Sequence, residues 1–328
     1  MHFHLTEEQT AIQDAVRGTL ADCWPIERLH MFADSETDFD RESWNALMAL
    51  GLAGILTPDS GMGLLEAALA CEVAGEAAAA GPLIGQMLAV AAVAVHGGDQ
   101  LGALMCGEKV ATLVHGGGAF VPCARAADVF LIVDRDAGVR LVPVGESVEI
   151  EAARASDRSR PVSRVAIAAD AGKTLFGPRD PMAARLADAA LILVAADALG
   201  GAQRVTDMSV AYAKEREQFG QPIGRFQGLK HQLAHMALDV EPARALVWYA
   251  AYAWDAALPD APRAAAMAKA HLCDVYVRAT RAAVAAHGGI GYTWEYGLHY
   301  WFRRAMFDRA WLGSPVEHRA RAAALAGW

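Results

Sequence analysis

Apolar side chains recur at helical spacing through roughly the first hundred residues, shift to short strand-like runs over the next seventy or so, and return to helical spacing towards the C-terminus. Thr6 followed by Glu7 and Glu8 predicts a helix start, because the hydroxyl can cap free N–H groups and carboxylates suit the positive helix end. Asp40 to Trp44 opens an amphipathic segment that runs to Leu50 and stops at Gly51. Leu64 to Ala80, ended by Gly81-Pro82, and Leu83 to Val95 read as two further helices. In the middle, Val110–Val114, Phe120–Ala124, Val129–Val133, Val139–Pro143, Val148–Ile150 and Val162–Ile167 read as strands, punctuated by Gly, Pro and Asp. A β region of roughly 70 residues has a modest core of its own and is expected to lean on the helices. From Pro181 a long helix runs to about Glu217, and Gly200-Gly201 inside it predicts close helix packing and not a break. Helices at about 225–257 and 262–286 follow, then a glycine turn at 288–291 and a last helix near 294–310.

The predicted fold class is mainly α with a β insert: an N-terminal α-helical domain over 1–106, a shortened β-sheet domain over 107–178, and a C-terminal four-helix domain over 179–328. No repeat of about 20–50 residues marks a solenoid or propeller.

Composition narrows the function classes. With 54% hydrophobic and 20% charged residues, the 328-residue chain is expected to fold. Its longest apolar runs, Met87–Val95 and Ala189–Ala196, are too short to span a membrane. Met1 to Glu8 has neither a basic n-region nor an apolar h-region, so no secretory leader is expected. Cys23, Cys71, Cys106, Cys123 and Cys273 are dispersed without a C-x-x-C, which reads as reduced core thiols and a cytoplasmic location. The net charge of -9 is uneven: the first hundred residues carry 3 basic and 15 acidic side chains, the rest 26 and 23. No basic run supports nucleic-acid binding, and a phosphate-bearing small ligand would meet the C-terminal part. His231, His235 and His271 lie on helices without a carboxylate to complete a metal set. Trp248, Tyr249, Tyr252 and Trp254 read as core or subunit interface. Gly116–Gly118 reads as a turn, without the pattern of a phosphate loop.

Two strings carry family information. The first is Arg216-Glu-Gln-Phe-Gly-Gln-Pro-Ile-Gly-Arg-Phe-Gln227, in which an Arg at a helix end is followed by an aromatic and a turn. A planar guanidinium can grip a pyrophosphate bidentately, and an aromatic can stack on a ring; the same string also suits a plain helical corner. The second runs from His287-Gly288-Gly289-Ile290-Gly291 to Arg303-Arg304, a glycine turn that opens backbone N–H groups to a phosphate or simply caps a helix. Together, and with the order of the three regions, these strings resemble the flavin-dependent acyl-CoA dehydrogenase family over nearly the whole chain. The resemblance implies FAD as cofactor, held across a subunit interface, with Arg216, Gln218, Phe219, Gln227, Gly288, Gly289 and Gly291 on it. Ala285 stands where the family usually has a cofactor-binding Gln.

The family's reaction removes an α-proton from an acyl-CoA while the β-hydrogen leaves as hydride to the flavin, and it needs a carboxylate base. Aligned on Arg303-Arg304, the usual Glu position falls on Leu312; an alternative family position, about 25 residues before Arg216, falls near Ala190. Neither can take a proton, so the resemblance implies no catalytic residue at either. Asp188 is the nearest acid to the second position, while Asp308 and Glu317 flank the first and read as surface charges. Gly313 to Arg319 reads as the start of a tail, with Arg319 and Arg321 facing solvent or a partner. The resemblance also implies that the early flavin-binding strands are missing after Lys109. The chain therefore resembles the shortened subunit of heteromeric bacterial members, with an α2β2 partner of larger size, an acyl-CoA substrate (bulky or steroid side chain) and an electron-transfer flavoprotein as acceptor. A self-sufficient homomer using Asp188, and a non-redox scaffold or acyl-CoA binding protein, are the alternatives.

Overall fold

The computed structural model describes residues 4–328; Met1 to Phe3, part of the stretch read for a leader, lie outside the described residues. Helix α1 (Glu7–Cys23) starts at Thr6, whose hydroxyl accepts from Gln9 N–H while the Gln9 side chain accepts from Thr6 N–H. The box therefore closes on Gln9, and Glu7 and Glu8 occupy the first turn. Helix α2 (Ile26–Asp34) was not predicted; nine residues are about two and a half turns, too few for a periodic window to register. Asp40 caps α3 (Arg41–Ala49). Helices α4 (Leu64–Glu76) and α5 (Leu83–His96) are buried almost all round, and α4 ends four residues before the predicted Ala80 because Ala78 turns into the left-handed region. A short α6 (Leu101–Met105) leads into the β region.

Two sheets follow. The first has the order β1 (Ala111–Val114), β3 (Val129–Asp134), β4 (Gly138–Pro143), β7 (Lys173–Phe176), with β1 parallel to β3 and the other pairs antiparallel. The second has the order β2 (Val121–Pro122), β6 (Val162–Ile167), β5 (Val148–Ala152), all antiparallel. Strand alternation divides β3 between two cores: Val129, Leu131 and Val133 join the main helical core, while Phe130 and Ile132 join a smaller core with Val114, Val142 and Val165. The β region thus leans on α5 and α7 as its size predicted. The strand expected over Phe120–Ala124 shrinks to two residues, because Cys123 takes positive φ and a 3₁₀ turn follows.

The C-terminal region holds α7 (Pro181–Glu215), a hairpin of β8 (Glu217–Gln218) and β9 (Gln221–Pro222), α8 (Gln227–Asp255), α9 (Ala261–His287), α10 (Leu298–Ala310) and α11 (Pro315–Leu325). Helices α8, α9 and α10 pack on α7, and α11 packs on α9. At 35 residues α7 spans about 50 Å. The predicted close packing at Gly200-Gly201 is present: a Cβ on Gly200 would lie 1.7 Å from Glu72 O of α4, and one on Gly201 would lie 2.2 Å from Tyr276 Oη of α9. The stretch expected as a tail is helical. Ser314 and Glu317 close a capping box with Pro315 at the first helical position, which starts α11. Arg319 remains exposed beside Asp274, but Arg321 is drawn inward to Asp188 at 2.8 Å, a correction to the solvent-facing reading. Cys106 is exposed, so the thiols are not all in the core. No helix of the described residues is long and apolar enough to cross a membrane.

Candidate functional site

The first string sits where α7 ends. Arg216 is the C-cap; its N–H donates to Tyr212 O at 2.8 Å, and its carbonyl accepts from Ile223 N–H at 2.7 Å. Between Gln218 and Gln221 the chain reverses over Phe219 (φ 55°) and Gly220 (φ 76°), the mirror-image turn that matches hairpin twist. A phenylalanine in the left-handed region carries a strain of about 1 kcal/mol. Its ring is 92% exposed and touches the edge of Phe226 at 6.1 Å. Gln227 opens α8, exposed on the same corner, as are Arg216 and Gln218.

The second string begins at the last residue of α9, His287. Gly288 has φ 62° and ψ -138°, a combination open to glycine alone, and the turn continues to Tyr292, which is 79% exposed. A Cβ on Gly288 or Gly289 would meet nothing within 4 Å. Gly291 differs from the expectation: it is buried, and a Cβ there would come within 3.1 Å of Val284 O and His287 Cβ, so its smallness serves packing. The rings of Tyr212 and His287 stack at 4.6 Å, which brings the hairpin base and the glycine turn side by side. The structure therefore sets the end of α7, followed by an exposed cation and an exposed aromatic, beside the turn that carries two open glycines.

The two positions at which a base was sought converge elsewhere. Leu312, with φ 62°, lies in the turn between α10 and α11, 6% exposed. Its carbonyl accepts from His318 Nε2 at 2.8 Å, and burial depresses the His318 imidazole to about 4, so the donor is the neutral ring. The fully buried Lys269 ammonium donates to Gly313 O at 3.3 Å and Asp308 O at 2.7 Å. Leu312 lines two adjoining clefts between the β region and the C-terminal helices, of about 430 Å³ and about 370 Å³, and Ala190 lines the second. Asp188 is buried and turned away to Arg135 at 2.6 Å and Arg321 at 2.8 Å. Both contacts engage the same carboxylate oxygen, Oδ1.

Sequence reasoning missed two groups here. Asp157 lines the larger cleft at 2% exposure, with Oδ1 accepting from Ser159 N–H and Oγ–H at 2.9 and 2.6 Å and Oδ2 unpartnered. No periodic signal marks a single Asp in an irregular loop. The second is a correction: Asp308, expected as a surface charge, is completely buried. Arg160, from the loop between β5 and β6, reaches Asp308 at 2.6 Å and Asp197 of α7 at 3.2 Å; Arg304 binds Asp197 at 2.9 Å. Burial would raise Asp197, but Arg304 and Arg160 more than offset it and hold it below the usual carboxylate range. Asp308 goes the other way: burial and then the Asp197 charge raise it well above that range, against the pull of Arg160 and Arg304. Glu317, as expected, is exposed.

Residues 6–103 match the family model described as acyl-CoA dehydrogenase, N-terminal domain, and residues 182–324 match acyl-CoA dehydrogenase, C-terminal domain. The protein named acyl-CoA dehydrogenase IpdE2 of Mycolicibacterium smegmatis is 30% identical over 323 residues, covering 97% of this chain and 98% of that protein. Among solved structures, the Tcur3481-Tcur3483 steroid ACAD aligns with a TM-score of 0.88 at 26% identity, covering 98% of each chain. Butyryl-CoA dehydrogenase from Megasphaera elsdenii aligns over 100% of both chains with a TM-score of 0.89; at 21% identity this shows a shared fold.

Proposed function

The chain belongs to the acyl-CoA dehydrogenase family, and on that premise we propose that it is the half-site subunit of an α2β2 dehydrogenase whose larger chain supplies the base. The observation that carries this reading is the pairing of an exposed corner at Arg216 and Gly288–Gly289 with an apolar cleft wall. Leu312 and Ala190 present only hydrocarbon where a proton must be accepted, while Arg216, Gln218, Phe219, Gly288 and Gly289 stand exposed.

FAD is the family's cofactor, and the exposed corner fits its adenosine diphosphate side. Arg216 would pair with the diphosphate, the Gly288 and Gly289 backbone leaves room for close approach, and Phe219 offers a face to the adenine. Gln218 and Gln227 would add polar contacts. When bound, FAD supplies the acceptor for the hydride that leaves the β-carbon of the acyl thioester. This chain's own part is to bind and orient: its cation and backbone dipoles hold the anion, while the buried Leu312 keeps water from part of the cleft.

The substrate in this proposal is a bulky acyl-CoA, supported by the relative whose name states a steroid dehydrogenase. An electron-transfer flavoprotein as acceptor, a cytoplasmic location, and division of the chain into 1–106, 107–178 and 179–328 belong to the same proposal. A self-sufficient homomer based on Asp188 is disfavoured by its two arginine partners. The test is purification of the chain alone and co-expressed with a larger homologue encoded nearby. The chain alone should be colourless and the complex yellow and active with an acyl-CoA. A yellow, active homo-oligomer of this chain would overturn the proposal, and a colourless protein that binds acyl-CoA unaffected by any partner would favour the scaffold reading.

A further inference from the structure

We propose that Tyr212, His287 and Tyr296 form a positioning unit that sets the Arg216 hairpin and the Gly288–Gly289 turn at a fixed separation, so that both can hold one diphosphate. The proposal rests on the half-site reading and assigns work to three residues to which the resemblance gives no role.

The three rings come from three elements and meet in one cluster. Tyr212 is in the last turn of α7, His287 ends α9, and Tyr296 lies in the segment before α10. Tyr212 stacks on His287 at 4.6 Å with an interplanar angle of 26°, and Tyr296 tilts against His287 at 4.9 Å. The hydrogen bonds fix the state of the imidazole. Nδ1 lies 2.7 Å from Ala283 O, a carbonyl that can only accept, so Nδ1 carries the hydrogen. Nε2 is then the acceptor, and the Tyr296 hydroxyl donates to it at 2.8 Å. Burial lowers the His287 pKa and keeps the ring neutral in this tautomer.

Each tie has a mechanical consequence. His287 and Tyr296 flank the Gly288–Tyr292 turn, so the imidazole–hydroxyl bond closes it at both ends. Gly291 packs back against the His287 side chain, which leaves Gly288 and Gly289 facing outward. The carbonyl of Tyr212 accepts the Arg216 N–H, so the stack reaches the residue that bears the cation. None of the three rings lines either cleft beside Leu312, which separates this unit from the acyl end of the chemistry. Preorganising two anion-binding groups on one rigid cluster saves the ordering that a flexible pair would need on binding.

The test uses the complex of this chain with the larger subunit, stripped of flavin, with amide hydrogen exchange and titration with ADP. Tyr296→Phe removes one hydroxyl, Tyr212→Leu removes the stacked ring, and Tyr212→Phe keeps it. Tyr296→Phe and Tyr212→Leu should each quicken exchange in both 216–222 and 288–292 and weaken ADP binding about fivefold. Tyr212→Phe should match the parent in both measurements. The positioning role is overturned if Tyr212→Leu leaves 288–292 unchanged, if Tyr296→Phe leaves 216–222 unchanged, or if Tyr212→Phe is as damaging as Tyr212→Leu. A parent complex that binds no ADP while exchange in the two segments remains coupled overturns the half-site reading and leaves the mechanical coupling standing.

Discussion

Replacing Arg160 with Ala tests whether the buried charges bind the β region to the helices. Arg160 is 5% exposed and serves two carboxylates, Asp308 at 2.6 Å and Asp197 at 3.2 Å. Its loss leaves Asp308 without a cation in direct contact, while Arg304 still holds Asp197 at 2.9 Å. Removing one partner of a buried pair costs about 3–5 kcal/mol, and the lower end applies because Asp308 can take up a proton. For a chain of this length about 3 kcal/mol corresponds to a fall in melting temperature of about 4 °C. The sign of the pH dependence follows from the raised Asp308. A carboxyl whose folded pKa lies above its unfolded value contributes stability that is fully present below the unfolded pKa and is lost as pH rises through the folded one. Taking away Arg160 raises Asp308 further, so the deficit should be larger at pH 8 than at pH 5. Asp308→Asn, which cannot ionise, should flatten this difference. Differential scanning calorimetry of parent, Arg160→Ala and the double variant at both pH values reads each quantity. A deficit below about 1 kcal/mol, or one equal at the two pH values, would refute the reasoning.

Three further outcomes follow from the geometry. Gly200→Ala should fail to accumulate as folded protein, or melt several degrees lower by circular dichroism, because its Cβ would sit 1.7 Å from a backbone oxygen of α4. Arg216→Ala should abolish flavin absorbance in the co-purified complex while leaving the melting temperature of the chain within about 1 °C, since the exposed side chain is not in the core. Leu312→Glu should not give the isolated chain acyl-CoA dehydrogenase turnover in a dye-reduction assay, and should destabilise it by about 1–3 kcal/mol, since a carboxylate would replace a buried apolar side chain.

The parts legible in the sequence were those specified locally. The caps at Thr6 and Asp40, the long helices, the strand-like run of β3 and the Gly200-Gly201 contact all depend on neighbours a few residues apart, or on a pattern the chain repeats. The Arg216 and Gly288 strings were legible because each is contiguous in the sequence. The buried quartet was not, because Arg160 lies 148 residues from Asp308 and nothing local distinguishes it from a surface arginine. Asp308 itself carries the i, i+4 spacing from Arg304 that usually marks a solvated helix face. Helix α11 differs from the expected tail although its start is locally specified: Ser314-Pro315-Val316-Glu317 is a capping box with proline at the first helical position.

The turn at Leu312 has one more implication. Any residue with a side chain suffers roughly the same 1–2 kcal/mol penalty in that left-handed backbone, and glycine would escape it. A leucine in that place therefore stays only if its methyl groups return at least as much, and hydrocarbon withdrawn from water between two clefts is worth about 1.5–3 kcal/mol. The position behaves as a plug: the chain keeps a strained backbone and fills the space between two clefts with hydrocarbon.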